Sequence, residues 1–166
     1  IFNSREQKDR VIYHEAGHFL TAYLYNIPIE GYTLTVWENI KNNSLGSGGV
    51  IFDTTALLEK KEDLMEFNVM IERLSIVLMA GIAAEEFIYK NSEGGMEDIN
   101  KLREICQNLG LATQEFNLKQ RQAILQAKNL IETNKESYLA LVEGMKQRKS
   151  VEECKSIIKS LGKRCE

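Results

Sequence analysis

Only two histidines occur in this 166-residue chain, and they stand four residues apart in His14-Glu15-Ala16-Gly17-His18. On a helix that spacing stacks both imidazoles on one face, where they can share a metal ion. Glu15, next after the first histidine, is turned toward the position that a water would take on such a metal, the place of a general base. The chemistry within reach of this trio is zinc-assisted hydrolysis. The bland alternative is a pair of polar helix residues with nothing between them.

The elements around the motif favour the metal. Ser4 followed by Gln7 fits a capping box and marks a helix start. From there to about Tyr25 no proline or β-branched run interrupts, and Val11, His14, His18 and Ala22 fall on one stripe. Phe19, Leu20, Tyr23 and Leu24 give the same helix a broad apolar surface, and Asn26-Ile27-Pro28 stops it. A glycine inside a helix costs about 1 kcal/mol against alanine, so Ala16-Gly17 points to a neighbouring backbone packed closely against the motif.

Downstream, Tyr32 to Trp37 is rich in β-branched and aromatic residues and is expected to be a strand. A polar loop over Asn39 to Gly49, expected to be mobile, separates it from a second short strand at Gly49 to Phe52, so the two form a hairpin or small sheet. Either strand, if at an edge, can pair with an extended substrate. From about Glu62 to Tyr89 the pattern is helical, and it is apolar nearly all round between Leu74 and Ala84, as in a helix buried mid-domain. Ala80, Gly81, Ala83 and Ala84 make that helix thin enough to lie against Ala16-Gly17. Asn91 to Gly95 is expected to be a loop, with a third helix from Met96 or Glu97 to about Leu109. Thr113 to Gly162 is expected to be helix with one break near Ser150. Ile124, Ile131, Tyr138 and Met145 recur every seven residues beside a row of Leu118, Leu125 and Leu139. An amphipathic helix packed on its own domain accounts for that pattern better than a coiled coil.

A catalytic zinc site has three protein ligands and one open position. With both histidines used and no C-x-x-C, the third ligand has to be a carboxylate. Aspartate is scarce: Asp9, Asp53, Asp63 and Asp98 stand against twenty glutamates. Asp98 follows a Gly-Gly turn and lies in the first turn of a helix, where a short carboxylate is rigidly placed and kept ionised; it would serve equally as an ordinary N-terminal helix residue. Glu85 competes, because it lies on the buried helix and a buried carboxylate needs a partner.

Several segments together resemble the peptidase domain of the FtsH-type, membrane-anchored AAA proteases. His-Glu-Ala-Gly-His at 14–18 fills the two variable positions as that family does. Tyr32 to Val36 followed by Gly49 to Phe52 is similar to its strand, loop and Gly-Val-x-Phe strand. Gly81-Ile82-Ala83-Ala84-Glu85-Glu86 resembles its Gly-Arg-Ala-Ala-Glu-Glu helix. Gly94-Gly95-Met96-Glu97-Asp98-Ile99 is similar to its Thr-Gly-Ala-x-Asn-Asp-Leu segment, whose last aspartate binds zinc. The resemblance implies His14, His18 and Asp98 as zinc ligands, Glu15 as catalytic base, and Glu85 as an acidic neighbour of the site. It also implies a metalloendopeptidase acting on protein or peptide substrates, which the lack of a nucleotide-binding loop is expected to restrict to unfolded or flexible ones.

The departures define the alternatives. Ile82 stands where the family has arginine, Glu97 replaces the asparagine before the ligand aspartate, and the stretch from Glu85 to Asp98 is shortened. No G-x-x-x-x-G-K-[ST] loop occurs, so the chain carries no ATPase and is either a domain of a longer protease or a stand-alone relative. A zinc-binding interaction module that has lost peptidase activity is the competing function.

Bulk composition is that of an ordinary globular domain, 43% hydrophobic and 27% charged, and a net charge of −3 gives no support for nucleic-acid binding. Cys106, Cys154 and Cys165 are widely spaced and odd in number, which argues against a disulfide framework. They favour the cytoplasm or another reducing compartment, such as an organelle stroma or matrix. The stretch Leu74 to Ala84 is too short to span a bilayer and closes on Glu85-Glu86. Because the chain begins at Ile1 rather than Met, upstream residues are expected to have been removed, with room there for a membrane anchor; oligomers are compatible with all of this. The expectation is one mainly α (α+β), multi-helix domain over 1–166 with a small hairpin. The zinc site and sheet fall in about 1–112, and the C-terminal helices in about 113–166.

Overall fold

A computed structural model describes residues 4–35, 49–53 and 63–162. Helix α1 (Ser4–Leu24) leads into a two-stranded antiparallel sheet of β1 (Ile29–Thr33) and β2 (Gly49–Phe52). Five helices follow: α2 (Leu64–Tyr89), α3 (Met96–Asn108), α4 (Thr113–Thr133), α5 (Lys135–Lys146) and α6 (Val151–Leu161). The described residues are therefore mainly helical with a small two-stranded antiparallel sheet, as composition and periodicity imply.

Helix α1 ends where Asn26-Ile27-Pro28 was expected to stop it. Asn26 takes a left-handed conformation (φ 55°), and the amides of Asn26 and Ile27 donate back to the carbonyls of Tyr23 and Ala22. Those two bonds form a Schellman motif and satisfy the last carbonyls of the helix. At the other end Ser4 is the first helical residue, and the residues before it, including any cap, lie outside the described residues.

Central to the domain is α2. Asp63 caps it, its carboxylate accepting from the amides of Met65 and Glu66 at 2.9 and 3.3 Å. The first turns are exposed, whereas every residue from Leu74 to Glu85 is buried. The helix packs against α1 on one side and α4 on the other. Contact with α1 is at backbone distance: a Cβ on Gly17 would lie 2.5 Å from the Ala80 carbonyl oxygen and 2.8 Å from the Ala84 Cβ. The thin Ala-Gly face does meet the motif helix. As a whole the helix, 26 residues, is long and apolar enough by length and composition to cross a membrane. Most of its apolar stretch is instead buried within the domain, which is the behaviour of a core helix.

Two expectations are corrected. The first strand runs over Ile29–Thr33, three residues earlier than Tyr32 to Trp37 suggested. Pairing fixes it there: Ile29 opposes Phe52, Gly31 opposes Ile51 and Thr33 opposes Gly49, with a bulge at Glu30, and the Asp53 amide donates to the Pro28 carbonyl. Partner residues thus set where the strand begins, earlier than local β-propensity placed it. Val36, Trp37 and the loop from Asn39 lie outside the described residues.

The C-terminal segment breaks twice rather than once. Besides the expected break, where Ser150 and Glu153 form a reciprocal capping box, the chain turns at Asn134. Its side-chain amide donates to the Leu130 carbonyl at 2.9 Å. That turn lets Tyr138, Leu141, Val142 and Met145 of α5 enter the core together with Ile131 of α4. Ile131, Tyr138 and Met145 of the heptad-spaced row are thus buried in their own domain and Ile124 is half-buried, with Leu118 and Leu125 on the outer face. Tyr138 ties α5 to the motif helix by donating its hydroxyl to the Tyr13 carbonyl at 2.8 Å. Cys106 and Cys154 are buried free thiols, and Cys165 lies outside the described residues.

Candidate metal centre

His14 and His18 project from the buried face of α1 toward α2, one turn apart, with ring centroids 4.9 Å from each other. Each ring is held through Nδ1. His14 Nδ1 lies 2.8 Å from Glu85 Oε1, and His18 Nδ1 lies 2.7 Å from the Val77 carbonyl oxygen. Both partners are acceptors, so each Nδ1 carries a hydrogen and each Nε2 is turned to the other side, where a metal ion would take its lone pair in place of any proton. This is the outer arrangement that orients metal-ligating imidazoles.

Asp98 completes the group from α3. Its Oδ2 is 3.2 Å from His14 Nε2 and 3.4 Å from His18 Nε2. Among the described residues these three are the one group of potential ligands gathered closely enough for a single ion, all donor atoms lying within 4.8 Å of one another. Delivery of Asp98 depends on the turn before it. Gly95 has φ 95°, open to glycine at little cost, and a side chain there would run into Ile82. A Cβ on Gly94 would lie 2.8 Å from Glu85 Oε1. At Gly94 and Gly95 the loop therefore lies against α2 with no room for a side chain at either position, and α3 starts immediately beyond.

Glu85 settles next to this centre rather than in it. Its carboxylate accepts from His14 Nδ1, from Arg10, and from the amides of Glu93 and Gly94 at 2.8 and 3.2 Å. Burial opposes its ionisation, but the His14 bond and the two amides outweigh that and hold its pKa below the usual carboxylate range. Of the two carboxylates that the residues alone left open, Asp98 faces both Nε2 atoms and Glu85 faces the back of one ring.

Electrostatically the centre calls for a cation. Asp98 is held well below its ordinary pKa: burial opposes this, but the charge of His18 and hydrogen bonding to His14 and His18 prevail. His14 is likewise disfavoured as a cation by burial, yet the bonds to Asp98 and Glu85 raise it to about 10. With no metal, a proton thus occupies the space between His14 and its acceptors, and a divalent ion would displace it. Two oriented nitrogens and one ionised oxygen match the donor preference of zinc.

Glu15 is buried beside the trio, and its Oε2 is the one buried side-chain polar atom without a hydrogen-bond partner among the described residues. Burial raises its pKa, partly countered by His18 and His14. A buried carboxylate oxygen without a partner is costly, and its retention suits a group whose partner is a water or substrate.

Sequence reasoning missed Arg10, Asn91 and the Val77 carbonyl. Arg10 was legible in principle: it precedes His14 by four residues and so shares its helix face. The carbonyl has no side-chain signature. A scan against protein-family models and a search of the curated proteins return no match for this chain.

Proposed function

We propose that this chain is a zinc metalloendopeptidase domain of the FtsH type that hydrolyses peptide bonds in unfolded or flexible proteins. The observation behind the reading is the convergence of His14 Nε2, His18 Nε2 and Asp98 Oδ2 on one point, with Glu15 Oε2 left over beside them. A bound zinc ion would supply Lewis acidity, polarising the scissile carbonyl and lowering the pKa of a water toward about 7. Glu15, desolvated and raised in pKa, accepts the proton of the attacking water through Oε2 and passes it to the leaving amine. Glu85 and the Val77 carbonyl keep both imidazoles in the tautomer that leaves Nε2 available. Asp98 contributes fixed negative charge from the first turn of α3.

The given sequence contains no nucleotide-binding loop, so this chain acting by itself would cut a folded substrate only from its locally open states. The test is cleavage of an unfolded protein such as casein by the zinc-loaded chain, by the chelated chain and by Glu15→Gln. Activity should require metal, and Glu15→Gln should keep the metal while losing about 10²–10⁴-fold in rate. Wild-type cleavage by Glu15→Gln would refute the mechanism. Stoichiometric zinc with no cleavage of any unfolded substrate would leave the chain as a zinc-stabilised interaction module.

A further inference from the structure

Arg10 is a buried cation that touches Glu85 and, besides Glu6 on its own helix at 3.8 Å, groups at the end of α2 and in the loop after it. Its Nη1 donates to Glu85 Oε2 at 3.3 Å, and its Nη2 donates to Asn91 Oδ1 at 2.9 Å and lies 3.6 Å from Glu93 Oε1. The guanidinium stacks over the Tyr89 ring, 4.1 Å from its centroid. One planar group therefore joins three elements: α1, which carries both histidines; the end of α2, which carries Glu85 and Tyr89; and the 90–95 loop, which delivers Asp98.

Apart from the close approach of Gly94 and Gly95 to Glu85 and Ile82, the loop has few fixed points. Asn91, Glu93 and Gly94 are exposed, and the backbone turns through left-handed conformations at Lys90 and Gly95. What binds it to the domain is Arg10 on the Asn91 side chain, and Glu85 on the Glu93 and Gly94 amides. Glu85 in turn is a carboxylate buried beside a histidine, and Arg10 is the permanent cation against it.

We propose that Arg10 is a positioning residue of the metal centre: by clasping Glu85 and Asn91 together it fixes the loop that places Asp98 against His14 and His18. This rests on the metallopeptidase reading above, because it assigns Arg10 a function only if the trio holds a metal. Arginine suits the task better than lysine, since a fixed planar fork reaches Glu85 and Asn91 at once while stacking on Tyr89.

Cobalt(II) titration of the metal-free chain, followed by visible absorption, tests this with a readout independent of peptidase activity. Arg10→Met keeps the length of the stem and loses the fork; cobalt affinity should fall about 10–100-fold, with a changed d–d spectrum. Arg10→Lys should recover part of the affinity, and Asn91→Ala, an exposed change that leaves the core intact, should lose several-fold. If Arg10→Met does not fold, the Lys and Asn91→Ala variants decide. Wild-type affinity and spectrum in folded Arg10→Met, or in both other variants, would overturn the proposal while leaving the metal site standing. Failure of the unmodified chain to take up cobalt would instead remove the metallopeptidase reading, and this inference with it.

Discussion

Substituting Gly81 by alanine separates the demands of the metal centre from those of the fold. A Cβ built on Gly81 lies well under 3.0 Å from Nε2, Cδ2 and Cε1 of His14. To restore ordinary contact the ring has to retreat by about an ångström, which takes Nε2 off the point shared with His18 and Asp98. Two terms oppose each other in stability. Alanine gains about 1 kcal/mol over glycine inside a helix, while overpacking costs about 1–3 kcal/mol. The metal-free protein should therefore lose no more than about 2 kcal/mol. Metal affinity should fall by at least about 100-fold, because a displaced ligand is worse than a disturbed outer partner. Gly17→Ala is the contrasting case: its Cβ would meet the Ala80 carbonyl and the Ala84 Cβ, main-chain and helix-anchored atoms that cannot rotate aside. That variant should destabilise the fold more than Gly81→Ala does. Urea unfolding in chelator and cobalt titration of both variants provide the assay. Retention of wild-type affinity by folded Gly81→Ala would refute the claim that the His14 ring must stay where it stands.

Other outcomes are equally specific. In chelator the folded chain holds an extra proton on His14, whose pKa of about 10 stands above the ordinary 6.5; the resulting stabilisation is complete below about pH 6.5 and is lost as the pH rises through 10. Unfolding between pH 7 and 10 should show that decline, and His14→Gln should flatten it. Zinc uptake should release this proton, so isothermal titration in buffers of different ionisation enthalpy should report at least about one proton freed per ion near pH 7.5. Tyr138→Phe removes the bond from α5 to the Tyr13 carbonyl and should cost about 0.5–1.5 kcal/mol in chemical denaturation without changing metal affinity. ATP with magnesium should not change the rate at which the purified chain cleaves casein.

The parts of the molecule legible in advance are those where one residue type has one physical use. His14-Glu15-x-x-His18 lies on one helix face because the helical repeat leaves no other arrangement, and the α2 core was readable as an uninterrupted apolar stretch. The Gly94-Gly95 turn was readable too, although the reason for two glycines, a loop pressed flat on Ile82 and Glu85, needed the packing. What stayed hidden is what depends on a partner distant in sequence. The β1 register is set by Phe52 and Asp53, over twenty residues away, so local propensity misplaced the strand. The turn at Asn134 is a polar side chain capping a helix end within an otherwise continuous apolar pattern, and helical periodicity runs through it unchanged. Residues alone left Asp98 and Glu85 as rivals, since both are acidic groups near helix ends or cores. The direction each faces separates them, Nε2 for one and Nδ1 for the other.

The most direct test of the centre is metal content, measured by mass spectrometry after equilibration at micromolar free zinc, for the unmodified chain, Asp98→Ala and Glu85→Gln. One zinc per chain is expected in the unmodified protein, none in Asp98→Ala, and one, bound more weakly, in Glu85→Gln. Full zinc in Asp98→Ala with loss in Glu85→Gln, or no zinc in the unmodified chain, would contradict the assignment.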